Sequence, residues 1–225
     1  MILMTNKQSR WYNGFMKKAL FITIEGPDGS GKSTVSQTVC QRLQQEGYRL
    51  QLTREPGGSK IAEQIRSIIL DPQNTDMDAR TEALLYAASR RQHLMDKVLP
   101  ALENGIPVIS DRFVDSSLAY QGVGRCIGIE PVWLINEFAI EGCLPDKTIY
   151  LDIDAETGLR RIQKGRNQLD RLDQEEASFH TRVFQGYQTI LKRFPDRFIK
   201  VDARQGLEKV VEDTYVVLKG LLDAQ

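Results

Sequence analysis

The chain has 225 residues, 41% of them apolar and 27% charged, a balance that fits one α/β domain with a full core rather than a disordered or membrane-embedded chain. Thirty basic side chains offset thirty acidic ones, so no chain-wide positive field holds a nucleic-acid polymer, and any anion site must be local. The three cysteines, Cys40, Cys126 and Cys143, are odd in number and far apart, which suits reduced cytosolic thiols rather than a disulfide framework or a paired metal site.

Residues 1–15 are polar and irregular and lack the apolar run of a signal peptide or membrane span. With Met16 offering a second start, this stretch reads as a leader, tag or upstream extension ahead of a single domain over residues 16–225. The first strand is expected over Leu20–Glu25. Val35, Val39 and Leu43 then recur at helical spacing, a second strand follows over Arg49–Thr53, and Ile61, Ile65, Ile68 and Ile69 mark another helix. Ala79–Glu103 is long enough for an extended helix or a bent pair, which Gly105-Ile106-Pro107 ends. Strands over Pro107–Asp111, Thr148–Asp152 and Phe198–Val201 come next, and Val210, Val211, Thr214, Tyr215, Leu218 and Leu222 give a closing amphipathic helix. The first, third and fourth strands are β-branched with little polar alternation, as in strands covered on both faces. Strands alternating with helices predict a parallel sheet with right-handed crossovers.

Between the first strand and first helix lie Gly26, Pro27, Asp28, Gly29, Ser30, Gly31, Lys32 and Ser33, with Thr34 beside them. This is the pattern of a phosphate-binding loop in the strand-to-helix context that the pattern requires. Its glycines let backbone N–H groups turn toward phosphate oxygens at the positive end of a helix. Lys32 is placed to bridge the β and γ oxygens of a bound triphosphate, and the Ser33 hydroxyl to ligate Mg²⁺; the loop itself does not separate kinases from switches, motors or transporters. Asp28 is unusual, because a carboxylate there repels a triphosphate unless it has other work, such as contacting a sugar hydroxyl or metal-bound water.

Arg54-Glu55-Pro56-Gly57-Gly58 follows the second strand at the carboxyl edge where open sheets bind ligands, and Arg54 can grip a phosphate through two parallel hydrogen bonds. Asp111-Arg112-Phe113 ends the third strand, with Asp111 where a metal-holding acid belongs, directly or through water. Ser117 and Gln121 share a helical face at i and i+4, as do Tyr86 and Arg90, an aromatic and a cation able to stack on a base and donate to its carbonyl. Taken alone, each of these segments also fits an ordinary loop salt bridge, a capped helix start or a core tyrosine.

Together the phosphate loop, Thr53-Arg54-Glu55-Pro56-Gly57-Gly58, Asp111-Arg112-Phe113 and Ser116-Ser117-Leu118-Ala119-Tyr120-Gln121-Gly122 closely resemble bacterial thymidylate kinase, from about Lys18 to the C-terminus. The resemblance implies a cytoplasmic homodimeric P-loop kinase, a five-stranded parallel sheet flanked by helices with an arginine-rich lid, that makes dTDP from dTMP with MgATP. It implies an ATP-binding loop over Gly26–Thr34, phosphate grip by Arg54 and Arg112, and contact of Asp28 with the acceptor's 3′-hydroxyl region. It further implies base stacking by Tyr86, thymine reading by Arg90, and base or sugar contacts from Ser117, Tyr120 and Gln121. Two positions depart from the family: Tyr86 stands where phenylalanine is usual, and Phe113 where tyrosine or histidine is familiar. Gly29 occupies the place where some members carry a catalytic arginine, so that charge is expected from a lid at about residues 158–173. There Arg160, Arg161, Arg166 and Arg171 are available, with Arg161, Arg166 and Arg171 the catalytic candidates and Gly165 and Asn167 the bending points. Two other readings stay open on the residues alone, a kinase for another monophosphate such as dUMP, dCMP or dGMP, and a P-loop switch without an acceptor.

Overall fold

The computed structural model describes residues 19–165, 171–172 and 175–224; the 1–15 segment, Arg166 and Asn167 lie outside them. Five parallel strands, β1 (Phe21–Glu25), β2 (Gln51–Arg54), β3 (Val108–Asp111), β4 (Lys147–Asp152) and β5 (Phe198–Asp202), form one sheet in the order β2-β3-β1-β4-β5. Each strand falls within two residues of its expected bounds. Nine α-helical stretches accompany them among the described residues: α1 (Lys32–Gln45), α2 (Lys60–Leu70), α3 (Ala79–His93), α4 (Leu99–Glu103), α5 (Val114–Ser117), α6 (Ile129–Ile140), α7 (Ala155–Gly165), α8 (Ala177–Arg193) and α9 (Leu207–Asp223).

Strand pleating divides the sheet side chains between two faces. Ile22 and Ile24 of β1 pack with Ile109, Ile149 and Leu151 against Val35, Val39 and Leu43 of α1 and Val210 and Leu218 of α9. On the other face Phe21 meets Phe113 edge-on at 4.9 Å, within a cluster that includes Leu94, Val98 and Leu102. Thr23 and Glu25 are fully buried on that face, so each needs hydrogen bonds. Thr23 has one with the Thr148 hydroxyl at 2.9 Å. Parallel register puts Asp111 opposite both Ile24 and Arg54, which brings Glu25, Arg54 and Asp111 to one carboxyl edge.

The long segment is one helical run with a defect. Asp78 starts it by accepting N–H bonds from Arg80 and Thr81, each 3.0 Å, a cap worth about 1 kcal/mol. A π-helical turn at Leu94–Val98 joins α3 to α4, just before Pro100, which lacks an N–H and crowds the preceding turn. A second π-helical turn, Leu118–Gly124, follows α5. It packs on α8 and carries Tyr120 and Gln121.

Candidate active site

The loop after β1 is wound by its glycines. Gly26, Gly29 and Gly31 have φ of 154°, 78° and 86°, conformations that L side chains rarely hold. Lys32 is buried and folds back on the loop, donating to the carbonyls of Gly26 and Pro27, each at 2.8 Å, and to the Ser30 hydroxyl at 3.3 Å. Burial, then the charge of Arg112, pushes its pKa down to about 8, against Asp28, Asp111 and Glu25. Ser33 and Thr34 face solvent on the first turn of α1.

At the end of β3, Asp111 accepts from the Ser33 hydroxyl through Oδ2 at 2.5 Å, while its Oδ1 is buried and without a partner. A hydroxyl and one carboxylate beside a phosphate loop suit Mg²⁺, which takes few protein ligands and completes its shell with phosphate and water. A cage would not be expected, and no cluster of three acidic, histidine or cysteine ligands occurs among the described residues.

A cleft of about 680 Å³, counted out to open solvent, runs from this point between α2, α3 and the second π turn. Its wall includes Asp28, Ser33, Arg54, Tyr86, Asp111, Arg112, Tyr120 and Gln121, so eight of the residues singled out in the sequence meet there. Arg112 pairs with Asp28 and lies over the Tyr120 ring, 5.1 Å from its centroid. Arg54 forms a bidentate pair with Glu63 at 2.8 and 3.2 Å, so Glu63 occupies the same two-nitrogen fork with which Arg54 was expected to grip a phosphate.

Arg90 and Ser117 are not on that wall. Arg90 is 1% exposed and donates through Nε to Glu55 at 2.8 Å, through Nη1 to Ser117 at 3.0 Å and to Asn136, and through Nη2 to the Phe113 carbonyl at 3.0 Å. Four of its five N–H donors are thereby engaged with protein, and contact with a base carbonyl would fall to the remaining Nη2 hydrogen. Ser117, bound to Arg90, belongs to the same inner layer, while Gln121 reaches the wall. The i, i+4 spacing thus leaves one member of the pair on the wall and the other behind it, as it does for Tyr86 and Arg90 on α3.

The lid arginines also separate. Arg161 donates to the backbone carbonyls of Ala203, Arg204 and Gln205 at 2.9, 3.4 and 3.2 Å, tying α7 to the turn before α9. Arg171 is buried and donates to the Ile69 carbonyl at 2.8 Å and to Glu82 at 2.5 Å. Arg160 donates to Thr157 at 2.8 Å. Gly165 is the last residue of α7. The catalytic candidates Arg161 and Arg171 thus hold backbone and a buried carboxylate, and Arg166 lies outside the described residues.

Sequence reasoning missed four side chains here. Glu25 accepts from the Phe113 and Ser116 N–H groups at 2.7 and 3.3 Å, from the Ser116 hydroxyl at 2.6 Å and from Tyr187 at 2.8 Å. It thereby braces the turn in which Arg112 sits at φ 72°. Burial, then the charge of Asp115, pushes its pKa up to about 7, against the bonds from Ser116 and Tyr187 and the charge of Arg112. A lone carboxylate in an otherwise apolar strand was the available signal. Arg66, which donates to the Pro56 carbonyl at 2.8 Å, lines the cleft as Glu55 does, and Glu82 lies behind it. Glu55 lies inside the Arg54–Gly58 motif, where sequence reasoning assigned it no role of its own, and no local pattern marks Arg66 or Glu82.

The family model described as thymidylate kinase matches residues 24–214. A thymidylate kinase of Enterococcus faecalis is 60% identical over 200 residues, 88% of this chain and 94% of that protein. One of Clostridium novyi is 52% identical over 205 residues, covering 91% of this chain and all of that protein. The crystal structure of thymidylate kinase from Ehrlichia chaffeensis superposes with a TM-score of 0.71 at 31% identity, over 89% of this chain and 98% of that one.

Proposed function

The chain belongs to the thymidylate kinase family, and on that premise we propose how its residues phosphorylate dTMP to dTDP with MgATP. The observation that carries the reading is the single cleft in which the Ser33–Asp111 pair, Arg54, Arg112 and Tyr86 stand together. The loop from Gly26 to Thr34 binds ATP. Lys32 exchanges its carbonyl partners for the β and γ oxygens, Arg54 exchanges Glu63 for the acceptor phosphate, and with Arg112 it holds that phosphate in line with the donor. Asp28, paired with Arg112, faces the sugar side. Tyr86 stacks on the base, with Tyr120 and Gln121 beside it and Arg90 and Ser117 one layer deeper. Ser33, and Asp111 directly or through water, would hold Mg²⁺, which would supply charge neutralisation on the donor phosphates. The acceptor phosphate is already an anion, so no general base is needed. The lid over about residues 158–173 excludes water and brings an arginine to the transferring group.

A domain spanning residues 16–225, a cytoplasmic location and a homodimer complete the reading. Among the described residues no helix is long and apolar enough to cross a membrane. The dimer is supported by exposed apolar side chains on three neighbouring helices: Ile61 and Ile68 of α2, Leu84 of α3, and Leu134 and Phe138 of α6, the last 86% exposed. Exposed apolar side chains gathered on adjoining helices suit an interface. Sedimentation of Phe138→Asp tests it, with a monomer expected.

A coupled assay over dTMP, dUMP, dCMP and dGMP tests the activity. dTMP should turn over fastest, and ATP consumption should stop when the acceptor is left out. Steady hydrolysis indifferent to any monophosphate would establish a switch instead. That reading is not favoured, because it leaves Arg54 and Tyr86 without work.

A further inference from the structure

We propose that Glu82 fixes the polarity of the Gln121 amide, so that the cleft selects acceptor bases presenting a ring N–H, thymine and uracil, against cytosine. This rests on the proposed kinase reading and adds the residue that sets its choice of base. A glutamine amide is ambivalent, offering a carbonyl oxygen on one side and two N–H donors on the other. What surrounds it decides which end faces the ligand. Gln121 is 1% exposed and donates through Nε2 to Oε1 of Glu82 at 2.8 Å. Glu82 is fully buried on α3 and is held by donors alone: Arg125 through Nε and Nη2 at 3.2 and 2.9 Å, and Arg171 through Nη2 at 2.5 Å. Burial pushes its pKa up, but Arg125, with Gln121 and Arg171, outweighs burial and leaves the net direction downward.

An ionised carboxylate only accepts. Turning the Gln121 amide over would set its oxygen against a carboxylate oxygen at hydrogen-bond distance, two acceptors in contact. The NH₂ must therefore face Glu82 and the carbonyl must face away from it. That carbonyl oxygen, Oε1, is buried and has no hydrogen-bond partner, on a residue that lines the cleft beside Tyr86. A buried acceptor on a cleft wall calls for a donor from the ligand. Thymine and uracil carry one at N3. Cytosine has a bare acceptor at N3, which would meet Oε1 as a second lone pair. Sites built around a specific hydrogen bond reject the mismatched analogue far more strongly than apolar contacts do. Glu82 touches no substrate in this scheme. It is a positioning residue, and Arg125 and Arg171 are what keep it an acceptor.

The test is kcat/KM for dTMP, dUMP and dCMP at saturating ATP. The wild-type protein should favour both imide bases over dCMP by about a hundredfold or more. Glu82→Gln replaces the carboxylate by a group that can also donate, so the Gln121 amide is free to turn. The dTMP-to-dCMP ratio should fall at least about tenfold, mainly through KM for dTMP, with dUMP falling alongside dTMP and KM for ATP within about twofold. Glu82→Asp keeps a charge for the two buried arginines while drawing the carboxylate back from Gln121, and should lower the ratio in the same direction. Gln121→Met keeps the side-chain length, removes both amide atoms, and should lower it by a similar factor without disturbing the arginines. An unchanged ratio in a folded Glu82 variant, or in Gln121→Met, would overturn the inference. So would equal wild-type turnover of dCMP and dTMP, whereas failure of the wild type to phosphorylate dTMP at all would overturn the proposed function itself.

Discussion

The two sides of the cleft are built from different materials. The donor side is backbone: three left-handed glycines, the start of α1, and a lysine turned onto loop carbonyls. Even its contact with the lid helix is backbone on backbone, since a Cβ at Gly29 would lie 2.2 Å from the Gly158 carbonyl oxygen. The acceptor side is side-chain charge held under cover. Arg90 lies on Glu55, Arg125 and Arg171 on Glu82, and Arg112 on Asp28. A backbone cradle binds any triphosphate and leaves identity unread, whereas oriented polar side chains can tell one base from another. Changes on the donor side should therefore act on turnover, and changes on the acceptor side on recognition.

The sharpest way to break this division is at Lys32. Lys32→Ala should lower kcat about a thousandfold or more, because charge on the transferring group is then poorly stabilised. Calorimetric dTMP affinity should stay within a few fold; if it falls with turnover, the two sides are not separate. Next come the lid arginines. Arg161 and Arg171 already hold carbonyls and Glu82, so Arg166→Ala should carry the largest loss of kcat, about a hundredfold or more. Arg171→Ala should instead raise KM for dTMP, as expected of a residue supporting the base side. A kcat loss largest in Arg171→Ala would move that residue to the transferring phosphate.

The same contrast explains what the sequence made legible. Eight consecutive residues from Gly26 to Ser33 build a local object, and its position after β1 and before α1 could be read from one stretch of chain. The parallel pairing could be read as well, because strand-like runs alternate with helical spacing over the whole length, though the order of the strands in the sheet could not. What could not be read was depth. Arg90 and Tyr86 are one helical turn apart, yet one is sealed beneath Phe113 and the other lines the cleft. Periodicity assigns a face but not the layer within it. Glu25 and Glu82 escaped notice because their partners lie 88 to 162 and 39 to 89 residues away in sequence. The π winding over Leu118–Gly124 likewise has no signature that separates it from an α-helix.

The glycine contact gives a smaller and more local test. Gly29 sits at φ 78° with Gly158 against it, and a Cβ at Gly158 would in turn lie 2.4 Å from the Asp28 carbonyl oxygen. Gly29→Ala combines a strained backbone with a collision that only movement of α7 can relieve, a cost of roughly 1–3 kcal/mol. kcat/KM for ATP should drop about tenfold while dTMP binding holds. Gly158→Ala should act in the same direction, and the double change should cost less than the sum, because one displacement of α7 relieves both. Simple additivity would mean that the lid and the loop do not share this contact.

The smallest effect separates the two sides by pH rather than by mutation alone. Glu25 braces the acceptor-side turn, and its pKa is raised from 4.5 to about 7 by burial and Asp115. A carboxyl raised on folding holds its proton more firmly in the folded chain. Its contribution to stability is therefore complete below pH 4.5 and is lost as pH rises through about 7. Lys32, on the donor side, is lowered from 10.5 to about 8. There the unfolded chain binds the extra proton, so burying the amine is a penalty below pH 8 that fades as pH rises toward 10.5. The windows do not overlap, which lets each be read by subtraction. Between pH 4.5 and 7 the wild-type melting temperature should fall relative to Glu25→Gln by several degrees, at roughly 2–4 °C per kcal/mol for a chain of this size. Between pH 8 and 10.5 it should rise relative to Lys32→Met by a similar amount. Parallel profiles in the first window would mean that Glu25 stays ionised, and Arg112 would then owe its turn to a charged brace rather than a protonated one.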